Sequence, residues 1–221
     1  MEKMFKGVLF DFDGTLVYLE VDWGEVRKQL AALAKRYKVS FSEASYSQSI
    51  REGYKSLLKN PKTKKDGKIY LDESYGILKE AETAGVDKGR LVPGAREVLE
   101  WLAEAHIPVA ILSNNDSSCV KKAFAKFGLP APAVIVGRDT VSSPKPSTEG
   151  AELALKSMGL EPGECCLVGD SQPDLEVGKS LGFNMIYIQP AADETDKNQP
   201  GVLVTDNMAH VKSLLQSECN N

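Results

Sequence analysis

Asp11 and Asp13 stand on either side of Phe12, where the apolar run Val8-Leu9-Phe10 stops, and Gly14-Thr15 follows them. Two carboxylates confined to one small space repel, which raises one pKa unless a cation lies between them. The pair therefore implies a shared proton or a divalent metal. A solvated acidic turn is the alternative while Asp-x-Asp is taken alone. Further along, Ser113-Asn114-Asn115 offers a hydroxyl and amides, which hydrogen-bond without adding charge and suit phosphoryl oxygens. Lys145 lies between Pro144 and Pro146, whose rings stiffen the backbone around one cation. Asp170 and Asp174 add two more carboxylates four residues apart.

Each of these groups follows a short apolar run or precedes a helical segment. Val8-Leu9-Phe10 is too short and too apolar for a surface helix and reads as a buried strand that delivers its acids to the carboxyl-end rim. That rim is where open α/β sheets bind ligands. Strand alternation sends Asp11 and Asp13 one way and Phe12 the other, and Gly14 allows a sharp turn next. Val109-Ala110-Ile111-Leu112 repeats the pattern before Ser113, and Cys166-Leu167-Val168-Gly169 repeats it before Asp170. With further strands at Val134–Val136, Met185–Ile188 and Val202–Val204, the fold class is α/β. The expected arrangement is a Rossmann-like parallel sheet with helices on both faces. A helix is expected to begin near Ser147, and Ala191–Pro200 reads as an exposed polar loop.

The segment after the first acids has a different texture. Trp23, Val26, Leu30, Leu33 and Tyr37 recur at helical spacing behind Asp22, a plausible cap, which predicts an amphipathic helix over 22–38. Further helices are expected over 42–59 and 70–84, with Lys62–Lys68 as a basic loop between them. That loop and Arg51 read as solvated charge rather than as part of the site. A run of helices interrupting an α/β pattern predicts a small inserted helical domain over 18–89, with 1–17 and 90–221 forming the α/β domain.

In this order, and each at a strand end, Asp11-Phe12-Asp13-Gly14-Thr15, Ser113, Lys145 and Asp170 with Asp174 resemble the four motifs of the haloacid dehalogenase-like phosphohydrolase superfamily. Pro93-Gly94-Ala95-Arg96-Glu97-Val98-Leu99 resembles the helix that leads into its second motif, so the likeness covers nearly the whole chain. The resemblance implies that Asp11 is the nucleophile and Asp13 the general acid and base. It implies that Ser113, Asn114 and Lys145 bind the phosphoryl group. Mg²⁺ would be held by Asp11, Asp170 and the backbone carbonyl of Asp13, with Asp174 supporting the lysine or the metal's water shell. The helical insert would be a cap that closes over the site, excludes water and sets specificity. Such an enzyme is similar to phosphoglycolate phosphatases and their sugar-phosphate relatives. It would hydrolyse a small phosphorylated metabolite through an aspartyl-phosphate. Asp13 argues against the dehalogenase and phosphonatase branches, which lack that acid. A β-phosphoglucomutase-like phosphomutase, disfavoured by Thr15, and a non-catalytic sensor of phosphorylated ligands are the alternatives.

Other devices are absent. Gly178-Lys179-Ser180 has the tail of a phosphate-binding P-loop, but Pro173 stands where that motif needs its first Gly. His106 and His210 lie away from every motif, and no Cys has an Arg six residues later. The four cysteines lack paired metal-ligand spacing. The 221 residues, 42% of them hydrophobic, can bury a sizeable core. No apolar run approaches the roughly 20 residues of a membrane span, and no basic-then-apolar leader is seen. A cytoplasmic location follows as the expectation, with scattered cysteines kept reduced. The net charge of −4 argues against nucleic acid as partner.

Overall fold

The computed structural model describes residues 5–42, 46–189 and 201–218. Its strands, numbered along the chain, are β1 (Gly7–Phe10), β2 (Val17–Tyr18), β3 (Arg90–Leu91), β4 (Val109–Leu112), β5 (Val134–Val136), β6 (Cys165–Gly169), β7 (Asn184–Ile188) and β8 (Val202–Thr205). Six of them form one parallel sheet in the order β5-β4-β1-β6-β7-β8, and β2 and β3 make a separate antiparallel ribbon. Every residue of β1, β4 and β6 is buried, which is why these strands read as unbroken apolar runs. Alternation puts Leu9, Ala110, Leu112, Cys165 and Leu167 on one face, against Ala151, Ala154 and Leu155 of α6 (Glu149–Met158) and Val177 of α7 (Gln172–Leu181). Val8, Phe10, Ile111, Cys166 and Val168 fall between them and are equally buried on the other face. The remaining helices of this α/β fold are α4 (Ala95–Glu104), α5 (Ser117–Phe127) and α8 (Met208–Glu218).

The sheet order makes β1 the switch point. Its neighbours are β4 on one side and β6 on the other, and Phe10 pairs with both Ile111 and Val168. The carboxyl ends of these three strands therefore finish side by side, and a crevice opens where the chain reverses its direction of travel across a parallel sheet.

Glu20–Lys88 is a second compact unit with its own core, separate from Met1–Leu19 with Gly89–Asn221. The boundaries fall two residues later and one residue earlier than the sequence pattern suggests. Val17↔Leu91 and Tyr18↔Arg90 pairing keeps both ends of the insert in the sheet-bearing unit. The second unit consists of α1 (Trp23–Tyr37), α2 (Tyr46–Lys59) and α3 (Lys64–Lys88), around Val26, Leu30, Leu33, Ile50, Leu57, Tyr70 and Leu78. Asp22 caps α1 as its position suggests, accepting from the Glu25 amide at 3.0 Å.

The expected basic loop is corrected. α3 starts at Lys64, six residues before Tyr70, so Lys64, Lys65 and Lys68 lie in its first turns. Thr63 donates to the carbonyls of Leu57 and Asn60 and closes the turn immediately before it. Gly67 breaks the apolar spacing there, but a Cβ at that position would lie 3.2 Å from Leu58 and 3.4 Å from Tyr54, so close packing against α2 overrides weak local propensity. The Ala191–Pro200 loop lies outside the described residues. Among the described residues no helix is long and apolar enough to cross a membrane.

Candidate active site

The strand β1 ends at Phe10, one residue short of the first acid, and Asp11 continues its line with its amide donating to the Val168 carbonyl of β6 at 2.9 Å. Phe12 then turns fully into the core, and Gly14 takes φ +94°. A side chain is excluded at Gly14 for a second reason: a Cβ there would sit 2.3 Å from Asp170 Oδ2. The turn thereby brings Thr15 against β6, where its hydroxyl donates to Asp170 Oδ1 at 2.6 Å.

Lys145 is the electrostatic centre. Its Nζ lies 2.7 Å from Asp11 Oδ1 and 2.6 Å from Asp174 Oδ1, with all three side chains nearly or fully buried. Asp174 is 0% exposed and its second oxygen is also occupied, accepting from the Ser171 amide and hydroxyl at the start of α7. It thus caps a helix and anchors the lysine at once. Burial alone would lower the Lys145 pKa, but Asp11 and Asp174 outweigh it and hold the ammonium charged.

The carboxylates pay for this arrangement. Burial, then the charge of Asp174, pushes the Asp11 carboxyl up to about 8, with Asp170 adding to the rise and Lys145 opposing it. Asp170 is raised as well, chiefly by burial, against the hydrogen bond from Thr15. The like-charge crowding that the sequence places on Asp11 and Asp13 therefore falls on Asp11, Asp170 and Asp174. Oxygens of these three lie within 4.8 Å of one another. Three carboxylates against one ammonium leave an excess of negative charge in a buried space, and hard oxygen donors of this kind fit a divalent cation such as Mg²⁺. Asp13 is half-buried, and its Oδ1 accepts from the Leu19 amide at 3.0 Å, outside that side-chain group. The resemblance assigns a metal contact to its backbone carbonyl.

Ser113 and Asn114, the other two residues expected to bind a phosphoryl group, follow the end of the adjacent strand β4. Ser113 Oγ donates to Asn115 Oδ1 at 2.9 Å and accepts from the Asn115 amide at 3.0 Å, so its proton must leave Asn115 before it can serve a ligand. Asn114 Nδ2 donates to the Lys145 carbonyl at 3.0 Å, tying the second motif to the third. Its Oδ1 is buried without a partner among the described residues.

Sequence reasoning placed Thr15 and Asn115 in their motifs without their contacts, and passed over Arg138. Thr15 and Asp170 are 155 residues apart, and nothing local in either predicts their contact. Arg138, only 2% exposed, is an unusual burial for its type that no spacing announces.

Residues 5–182 match the haloacid dehalogenase-like hydrolase family. The hexitol phosphatase A of Escherichia coli (strain K12) is 28% identical over 194 residues, which cover 88% of each chain. The bifunctional riboflavin kinase/FMN phosphatase of Arabidopsis thaliana is 26% identical over 198 residues, 88% of this chain but 51% of that protein, so this chain spans about half of its length. The crystal structure of a predicted phosphoglycolate phosphatase from Haemophilus somnus 129pt shares the fold, with a TM-score of 0.65 at 19% identity over 97% of this chain and 99% of that one.

Proposed function

We propose, from the premise that this chain belongs to the haloacid dehalogenase-like hydrolase family, that it is a Mg²⁺-dependent phosphatase acting on a small phosphorylated metabolite of the phosphoglycolate or sugar-phosphate type. The observation that carries this reading is the buried Asp11–Lys145–Asp174 contact beside Asp170 at the switch point of the sheet. A phosphate monoester is an anion that repels nucleophiles, so a carboxylate can attack phosphorus only where fixed positive charge faces the phosphoryl oxygens. Lys145 is such a charge, held in place from two sides. Mg²⁺, bound by Asp11, Asp170 and the Asp13 carbonyl, would supply the rest.

Asp11 is the nucleophile in this mechanism. Its carboxylate oxygen bonds to phosphorus as the bond to the leaving oxygen breaks, and Asp13 gives that oxygen a proton. Asp13, now a carboxylate, takes a proton from water, whose oxygen attacks phosphorus and releases phosphate from Asp11. The hydrogen bond from the Leu19 amide holds the Asp13 side chain in place, separate from the Asp11–Lys145 pair. Ser113 donates to a phosphoryl oxygen after its hydroxyl turns from Asn115. We assign substrate choice to the helical unit Glu20–Lys88, since every residue given a part in phosphoryl transfer above lies in the sheet-bearing unit. A cytoplasmic setting suits such a metabolite.

Phosphate release from a panel of small phosphomonoesters tests this, with Mg²⁺ or excess chelator, in wild type and Asp13→Asn. Release that needs the metal and falls about 10²- to 10⁴-fold in the variant is expected. No release from any compound overturns the reading, and an isomerised sugar phosphate without free phosphate would make the protein a mutase.

A further inference from the structure

Arg138 opens a single 3-10 turn, Arg138–Thr140, behind β5 and is almost completely buried. A guanidinium carries five donors and no acceptor, so carbonyls or carboxylates must surround it. One of its terminal nitrogens donates to the Asn114 carbonyl, and its own amide donates to the Asn115 carbonyl at 2.9 Å. Its neighbour Asp139 accepts from both the amide and the hydroxyl of Ser117, each at 2.7 Å. One dipeptide thus grips the loop after β4 at 114, 115 and 117. The approach is close enough to exclude a side chain at Gly137, whose Cβ would lie 2.6 Å from the Ser117 nitrogen and 2.9 Å from the Asn115 oxygen.

The gripped loop passes its position on. Asn114 donates to the Lys145 carbonyl, and Lys145 Nζ spans Asp11 and Asp174. Asn115, held by the Arg138 amide, in turn holds Ser113. We infer that Arg138 is a positioning residue: by fixing the Asn114 carbonyl it sets where Ser113 and Lys145 present their donors to a phosphoryl group. The kinetic consequence rests on the phosphatase reading, but the grip itself does not.

The test compares Arg138→Met, Asn114→Ala and the double variant in the full chain with Mg²⁺. Backbone hydrogen exchange should quicken over 113–118 and around Lys145, while the amides of β1 and β6 keep wild-type protection. Turnover of a chromogenic phosphomonoester should fall about 10²-fold in Arg138→Met, and inorganic phosphate should bind more weakly, with Mg²⁺ affinity within about twofold of wild type. Because Asn114→Ala keeps the carbonyl that Arg138 holds but cuts the link from that loop to Lys145, the double variant should lose less than the product of the two single losses. Multiplied losses, or faster exchange throughout the sheet with a parallel loss of Mg²⁺ affinity, would overturn the inference. A wild type that turns over nothing would sink the phosphatase reading alone, since exchange still reports on the grip. If Arg138→Met does not fold, exchange at Ser117 in Asp139→Asn decides, and wild-type protection there refutes the grip.

Discussion

Without a metal, Asp11 resists its own ionisation. Its carboxyl, pushed up to about 8 mainly by burial, holds a proton that the unfolded chain has released by about pH 4. The folded state therefore binds more protons between those values, and the stability this confers, complete below the unfolded pKa, is lost as pH rises through the folded one. A divalent cation needs the ionised form, so its affinity should climb with pH across the same window. The rise in melting temperature on adding Mg²⁺ should accordingly be larger at pH 8.5 than at pH 6, and an equal rise at both would contradict the coupling. Asp11→Asn removes the charge as well as the proposed nucleophile. Turnover should vanish while the metal-free variant at pH 9 melts no lower than wild type, which parallel assays and thermal melts can check.

At the scale of an element, the turn between β1 and β2 does what neither strand can, setting Asp170 from the far side. Gly14→Ala places a methyl group at a position 2.3 Å from the Asp170 carboxylate and forces an L residue into φ +94°. Asp170 must move, so Mg²⁺ affinity, measured by calorimetry, should drop at least about tenfold, or roughly 1.4 kcal/mol. Unchanged affinity would show that Asp170 is not a ligand. The helices teach the converse lesson. α1 was legible from its apolar spacing and its Asp22 cap, whereas the start of α3 was not, because its first turns are polar and contain Gly67. Contact with Tyr54 and Leu58, not propensity, makes that stretch helical.

For the whole molecule, two compact units mean two places where stability is set. Ile50 is completely buried in the helical unit, so Ile50→Ala should cost about 2–5 kcal/mol there. Proteolysis should then speed up within residues 20–88 while Mg²⁺ binding by the sheet-bearing unit persists; loss of both together would show a single cooperative unit. The sequence by itself determined that apolar runs end in Asp11, Ser113 and Asp170, because buried parallel strands must be continuous in apolar residues and their ends must not. It determined the helical insert through 3.6-residue periodicity and the sharp turn through Gly14. Only the tertiary structure decided which acids share a charge problem. Asp11 and Asp13 are two residues apart in the chain, yet Asp13 accepts from the Leu19 amide, and it is Asp174, 163 residues from Asp11, whose charge raises the Asp11 pKa most after burial. Contacts such as Thr15 with Asp170 and Arg138 with Asn114 were equally out of reach of the sequence, because they arise where separate strand ends converge and leave no periodicity in the chain.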